Sequence, residues 1–428
     1  MINRMRFFRV KYFLLSVFLF FPETMNACSE EDCLYFKTVF TCEVQNKGNA
    51  EIIAYCYSEK LLVAVNSKNH LIDFYDLDFD LENKVQPVKM EKDIYSFYTV
   101  NEPTSVAVHP ALPVALVTVL GSDKSEKGRL IGIDLRKHTR GTIVVAQPLG
   151  IGPDSIAISN DGKYAVVANE AEDDPATPGS IMVINLGVLD IDKTPSENIL
   201  PAIEIEGLDD AIKQPLGECE PEFVAIDPQS RFAVVSCQEN DCLVVVDLLK
   251  EPAMITNMIK LPFGSSPDGV TILDCFAGDN QTQGSLIIVA EEGLEKDKIA
   301  RTGNSLSVYW LDSENPANPP AIKARIDIHP FVSSTEPLKR LDPESVVCVE
   351  HKGRKYIFLS VERSDEILCF EITQKYNLLF KGKAKVGERP EGLCIVEING
   401  EIFVLSADEG KEKSGSITIL HFSPVPLK

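Results

Sequence analysis

Basic residues are scarce in this chain: 42 lysines and arginines stand against 64 aspartates and glutamates, giving a formal charge of −22. Such a surface repels nucleic-acid phosphates and anionic lipid, so nucleic-acid binding is excluded and cations or basic partners are favoured. Among eleven cysteines there is no Cys-x-x-Cys pair, which leaves a zinc ribbon and a thioredoxin-like redox site without support. The six histidines form neither His-x-His nor His-Glu-x-x-His. There is no Gly-x-Ser-x-Gly elbow and no Walker loop, and GIGPDS at 150–155 lacks the last glycine of a dinucleotide fingerprint. Low-complexity tracts are missing too, and no apolar run reaches the roughly 20 residues that span a bilayer.

The longest apolar run lies at the start. Arg4, Arg6, Arg9 and Lys11 precede or border YFLLSVFLFF (12–21), followed by PETMNA and Cys28. This is the pattern of a secretory signal, so residues 1–27 are expected to be removed and the protein exported, to the periplasm or outside the cell. Met25 is not the small residue preferred before the cleavage point. Cys28 directly after Ala27 raises lipid anchoring at the envelope as the alternative to a soluble protein, although Met-Asn-Ala is a poor lipobox. Residues 28–35 read as a linker. Cys28, Cys33, Cys42, Cys219, Cys237 and Cys242 are the disulfide candidates of an exported chain; Cys56, Cys275, Cys348, Cys369 and Cys394 lie in apolar runs, where cysteine behaves as a small hydrophobe.

At 428 residues the chain exceeds a single ordinary core of about 250–300 residues, so it is either multidomain or a repeat protein. Repetition decides this. The stretch PEFVAIDPQSRFAVVSC (221–237) recurs as AEIIAYCYSEKLLVAVN (50–66), PTSVAVHPALPVALVTV (103–119) and PDSIAISNDGKYAVVAN (153–169). Further copies start near 267, 343 and 390. A third run follows each copy, such as CLVVVDL, SIMVINL or SITILHF, and a more polar fourth run follows most of them. Strand-length β-branched runs bounded by Asn-Gly, Asp-Gly and Pro turns, four to a unit, describe propeller blades. Seven units predict an all-β, seven-bladed β-propeller over 36–428. Only SPVPLK follows the last SITILHF, and FKTVFTCEV (36–44) is an unclaimed strand; pairing this N-terminal strand with the last blade would close the ring and remove two sheet edges.

The repeat also aligns chemistry. In each blade the residue after the proline-like position is Glu51, Thr104, Asp154, Glu222, Asp268, Glu344 or Glu391, six carboxylates in seven blades. The first strand of a blade lines the channel and the second returns to the same face, so Glu170, Glu239, Glu292, Glu362 and Asp408 at the ends of second strands form an outer acidic rim. Turn carboxylates often only cap loop amides. A ring of them is different, since two about 6 Å apart at an effective dielectric of 20 repel by roughly 3 kcal/mol. Protonation, basic partners such as Arg301, Arg363 and Arg389, or a hard divalent cation, calcium by preference, would relieve it. DLDFDLEN (76–83) spaces acids as a calcium loop would but lacks its glycine and reads as a strand end.

GECEPEFVAIDPQSRFAVVSCQENDCLVVVDL, GNAEIIAYCYSEKLLVAVN and ERPEGLCIVEINGEIFVLSADEG resemble the choice-of-anchor I family of exported propellers, over roughly 36–422. That family also includes mesenchyme-specific cell-surface glycoproteins and is related to phytase-like and YVTN-type propellers. The resemblance implies fold and export. Relatives tend to carry Asn-Glu-Gly-Asp-Ala-Arg where this chain has NEAEDDPATPGS (169–180), so a role tied to that arginine is not carried over. Two functions are in view: a monomeric binding or scaffold protein whose acidic face holds a cation and engages a protein, envelope or small-molecule partner, and a calcium-dependent phosphoesterase similar to the propeller phytases.

Overall fold

The computed structural model describes residues 34–44, 47–81, 87–90, 95–171, 178–208, 219–277, 283–293, 303–333, 340–411 and 413–424. The expected signal segment 1–27, Cys28, Cys33 and Arg301 lie outside them. β1 is Leu34–Glu43. Blade 1 holds β2 (Ile53–Cys56), β3 (Leu61–Asn66), β4 (Leu71–Phe79), β5 (Val88–Met90) and β6 (Tyr95–Tyr98); blade 2 holds β7 (Pro103–Val108), β8 (Val114–Val119), β9 (Lys127–Asp134) and β10 (Ile143–Ile151). Blade 3 is β11 (Pro153–Ile158), β12 (Tyr164–Asn169), β13 (Ser180–Asn185) and β14 (Ala202–Glu204), and blade 4 is β15 (Pro221–Ile226), β16 (Phe232–Cys237), β17 (Cys242–Asp247) and β18 (Met254–Lys260). Blade 5 comprises β19 (Pro267–Ala277), β20 (Gln283–Glu291), β21 (Ser305–Asp312) and β22 (Ala321–Asp327). Blade 6 comprises β23 (Val346–His351), β24 (Arg354–Val361), β25 (Glu366–Ile372) and β26 (Leu378–Lys385), and β27 (Pro390–Ile398), β28 (Glu401–Asp408) and β29 (Ser416–Pro424) follow.

Seven antiparallel sheets result, a seven-bladed β-propeller with the strands of each blade in chain order from the channel outward. Blade 7 is the exception in connectivity: β1 pairs with β29, so its order is β27-β28-β29-β1 and the N-terminal strand closes the ring. Blade 1 departs from four strands, because two short strands, β5 and β6, pair with different ends of β4 in the fourth position.

The core lies between blades. Both faces of a second strand are covered by neighbouring sheets, which is why β3, β8 and β16 are buried at every position and read as continuous apolar runs rather than alternating ones. Turns are tied by buried polar groups. Asp227, 1% exposed, accepts the Phe232 amide at 3.1 Å and Arg231 Nε at 2.8 Å, and Arg231 reaches on to Asp274 of the next blade at 3.1 Å. Asp227→Ala leaves that guanidinium and three turn amides, of Gln229, Arg231 and Phe232, short of an acceptor, so it is expected to cost about 3 kcal/mol in a urea or thermal unfolding measurement; a change below about 0.5 kcal/mol would show that the turn holds without it.

Candidate functional site: the acidic channel mouth

Five of the seven innermost strands open on proline, at 103, 153, 221, 267 and 390. Proline there fixes the backbone where no ladder donor is needed, and it delivers the following side chain to the mouth of the channel. Adjacent blades touch at this point through main chain. The Gly269 amide donates to the Glu344 carbonyl at 3.0 Å and the Gly392 amide to the Glu51 carbonyl at 2.8 Å. A Cβ at Gly269 or Gly392 would fall 2.1 or 2.4 Å from those same oxygens, so only glycine allows the approach. In blade 2 the neutral Thr104 uses its hydroxyl to bond the Pro153 carbonyl at 2.6 Å.

The cavity so formed measures about 270 Å³ and brings together all six carboxylates expected from the repeat, Glu51, Asp154, Glu222, Asp268, Glu344 and Glu391. Glu102 and Glu409 join them, and the other described lining residues are Ile52, Thr104, Ser105, Ser155, Phe223 and Ser345, with no lysine or arginine among them. Glu102 precedes the proline of blade 2 and stands in for the acid that Thr104 lacks. Glu409 follows the end of β28 by one residue. The repeat aligned residues after the proline, so it missed the acid just before it.

Burial and mutual repulsion keep protons in the ring. Burial pushes the Glu51 carboxyl up to about 7, against accepted hydrogen bonds from Ser67 and from Asn49 at 2.5 Å. Glu344 is likewise pushed up to about 7, mainly by burial. Glu222 rises well above the usual range through burial and then the fields of Glu170, Asp154, Glu344 and Glu391. Asp268 rises through burial and a side-chain hydrogen bond to Glu344, and Glu391 through burial and the charges of Glu344, Glu409 and Glu51. The hydrogen bond that Asp268 and Glu344 share pushes Asp268 up and works against the rise of Glu344. Glu222 Oε2 is buried with no hydrogen-bond partner among the described residues.

Among the described residues, two groups of three carboxylates have ligand oxygens within 4.8 Å of one another: Asp268, Glu292 and Glu344, and Asp342, Glu344 and Glu362. Glu344 belongs to both. Arginines flank them from outside. Arg340 pairs with Glu292 and Asp342, Arg363 with Asp342, and Arg389 with Glu362 and, at 2.8 Å, with Glu409.

The outer rim divides. Glu170 lines an adjoining cavity of about 510 Å³ with Glu102 and Asp154. Glu292 and Glu362 are buried beside the ring. Asp408 is not on the rim: it is fully buried and accepts the hydroxyls of Ser406, Ser416 and Thr418 at 2.6–2.8 Å and the Gly387 amide at 3.1 Å. As the last residue of β28 it faces those hydroxyls inside blade 7, and Glu409 takes the place at the mouth. Glu239 is exposed in the β16–β17 turn and lines neither cavity. Of the acids in DLDFDLEN, Asp76 and Asp78 lie on β4 and pair with Arg140 and Lys60, as a strand end requires, and Glu82 lies outside the described residues.

The fold and the acidic mouth together define a seven-bladed propeller with a carboxylate-lined channel. The choice-of-anchor I domain model matches residues 51–286, more than half of the chain, and the chain belongs to that family. Membership points to an exported or cell-surface protein, and no helix among the described residues is long and apolar enough to cross a membrane. No curated protein shows significant similarity to it. Among solved structures it is similar to Kuenenia stuttgartiensis hydrazine synthase at 15% identity, covering 90% of this chain and 98% of that one with a TM-score of 0.59. It is also similar to the Myceliophteria thermophila Cps50 (Swd1) β-propeller domain at 11% identity (90% and 100% covered, TM-score 0.57) and to the Pseudomonas aeruginosa periplasmic gluconolactonase PpgL at 13% identity (79% and 86% covered, TM-score 0.50). At these identities the likeness shows the fold alone.

Proposed function

We propose that this propeller is an exported binding or scaffold protein, periplasmic or extracellular, whose channel mouth takes a divalent cation, calcium by preference, and through it a partner. The observation that carries the reading is the convergence of eight carboxylates, with no lysine or arginine among the described lining residues, on a cavity of about 270 Å³. A hard cation with six to eight oxygen ligands matches that donor set, and it would replace the protons the ring otherwise retains. Glu344, shared by two carboxylate triads, is where the ion would sit. The same sharing favours a second reading, a phytase-like phosphoesterase, because hydrolytic centres hold two ions about 3.5–4 Å apart. The arginines that would clamp a phosphate are instead paired with carboxylates, which favours the binding protein.

Counting ions decides between them. The full chain, stripped with chelator and titrated with calcium, is expected to bind one ion per chain by calorimetry and native mass spectrometry, and to leave phytate and p-nitrophenyl phosphate intact. Two ions with phosphate release would establish the esterase. No binding at millimolar calcium would dispose of both readings.

A further inference from the structure

Three cysteines outside the channel mouth are gathered at one corner of blade 4. Cys219, Cys237 and Cys242 are all thiols in the structure and at most 2% exposed. They pack in the core between blades 3 and 4, beside Val166, Ala168, Ile181 and Val183. Cys237 ends β16 and Cys242 begins β17, and the two are register partners at the closed end of their hairpin. On the other side of β16, Cys237 is the register partner of Pro221, two residues beyond Cys219. The Cys237 thiol hydrogen-bonds to both neighbours. The arrangement is a row across β17, β16 and the entry to β15, with Cys237 in the middle.

We propose that this row is a disulfide site: Cys237 and Cys242 close as a cross-strand disulfide, and Cys219 is the third thiol, placed to take the bond over from Cys242. Directly opposed residues of an antiparallel pair have Cα atoms about 4.5–5.5 Å apart, inside the 4.4–6.8 Å span of disulfides. Cys219 lies just before β15, outside the ladder, whereas the ladder holds Cys237 and Cys242 opposite one another, so the hairpin bond is the preferred one. The oxidant is a disulfide such as oxidised glutathione. The Cys237 thiolate attacks one of its sulfurs and expels glutathione thiolate; the Cys242 thiolate then attacks the Cys237 sulfur of the mixed disulfide and expels the second. Two protein thiols lose two electrons and two protons, and one glutathione disulfide becomes two glutathiones. Attack of Cys219 on Cys237 moves the bond without further oxidant, releasing Cys242 as a thiol. That exchange transfers the cross-link from the hairpin to the stretch leading into Glu222, three residues beyond Cys219, and so ties it to the channel mouth. Buried in the finished core, the thiols meet the oxidant while blade 4 is still open.

Trypsin separates the alternatives, because Lys213, Arg231 and Lys250 cut Cys219 into the peptide 214–231 and leave Cys237 and Cys242 together on 232–250. The full chain is refolded in a glutathione redox buffer, its melt is compared with that of the reduced chain to confirm folding, free thiols are alkylated in denaturant, and the digest is weighed without reductant. The expected result is 232–250 lighter by two hydrogens, with Cys219 and the isolated core thiol Cys369 alkylated. In Cys242→Ser, 214–231 is expected to appear cross-linked to 232–250. A wild-type map dominated by that cross-link overturns the assigned pair. Three alkylated thiols in the folded wild type, or a thiophilic metal recovered with it, overturns the disulfide site. Neither readout depends on the cation at the channel mouth.

Discussion

A chain that begins at residue 46 is expected to lose most of its stability, with melting lowered by well over ten degrees or no cooperative transition at all. β1 forms nine register pairs with β29, from Leu34 opposite Pro424 to Glu43 opposite Ser416, broken only by a bulge at Val39. Each ladder hydrogen bond contributes about 1 kcal/mol net. Phe36 of β1 stands edge-on to Phe358 at 6.0 Å and lies 5.6 Å from Phe422, so the strand also staples blade 7 to blade 6. Removing it exposes β29 as a long apolar edge, and an open edge of that kind invites aggregation. The milder Phe36→Ala, which keeps the ladder, is expected to cost about 3 kcal/mol. Circular dichroism melts and size-exclusion profiles read both changes. A truncated chain that melts with the intact one would mean that β1 adds nothing to closure.

Why the ring could be read from the chain, while much of its surroundings could not, follows from what repeats. Seven copies of one strand pattern set both the blade count and the position of Glu51, Asp154, Glu222, Asp268, Glu344 and Glu391, because equivalent residues of a closed ring face one axis. The N-terminal strand was legible for the same reason, as a run left over beside a unit one strand short. Features that occur once carry no such signal. Glu102 compensates for Thr104 from the other side of a proline, and Arg340 reaches Glu292 and Asp342 from three residues before Pro343. The end of β28 deceives for a third reason. Strand alternation decides which of Asp408 and Glu409 points inward, and Ser406, Ser416 and Thr418 supply the hydroxyls that make burial of Asp408 affordable. The split fourth strand of blade 1 depends on where β4 ends, a boundary that its apolar pattern does not mark.

Calcium and protons are expected to compete for the channel mouth, and the competition gives the second large effect. Glu51 and Glu344 are held up to about 7 in the folded chain, against a value of 4.5 for a free carboxyl. A folded-state value above the unfolded one means that the native ring binds protons the unfolded chain has already lost. Its contribution without metal is therefore fully present below about 4.5 and is lost as the pH rises through about 7, by on the order of 3 kcal/mol at most for each group. Calcium would require the ionised ring and would bind only the folded state. At about 100 times its dissociation constant it should add about 2.7 kcal/mol, with protons released on binding. The calcium-induced rise in melting temperature is thus expected to be large at pH 8 and small at pH 5.5. Glu344→Gln combined with Glu391→Gln removes two charges from adjacent blades, so it should abolish the calcium response. It should also make the metal-free protein more stable than wild type at pH 8, since roughly 3 kcal/mol of repulsion goes with them. Melts of both proteins in calcium and in chelator, at both pH values, measure all of this together. Identical wild-type melts in the four conditions would leave the carboxylates as loop caps, whose hydrogen bonds to neighbouring amides and hydroxyls would then be their whole purpose.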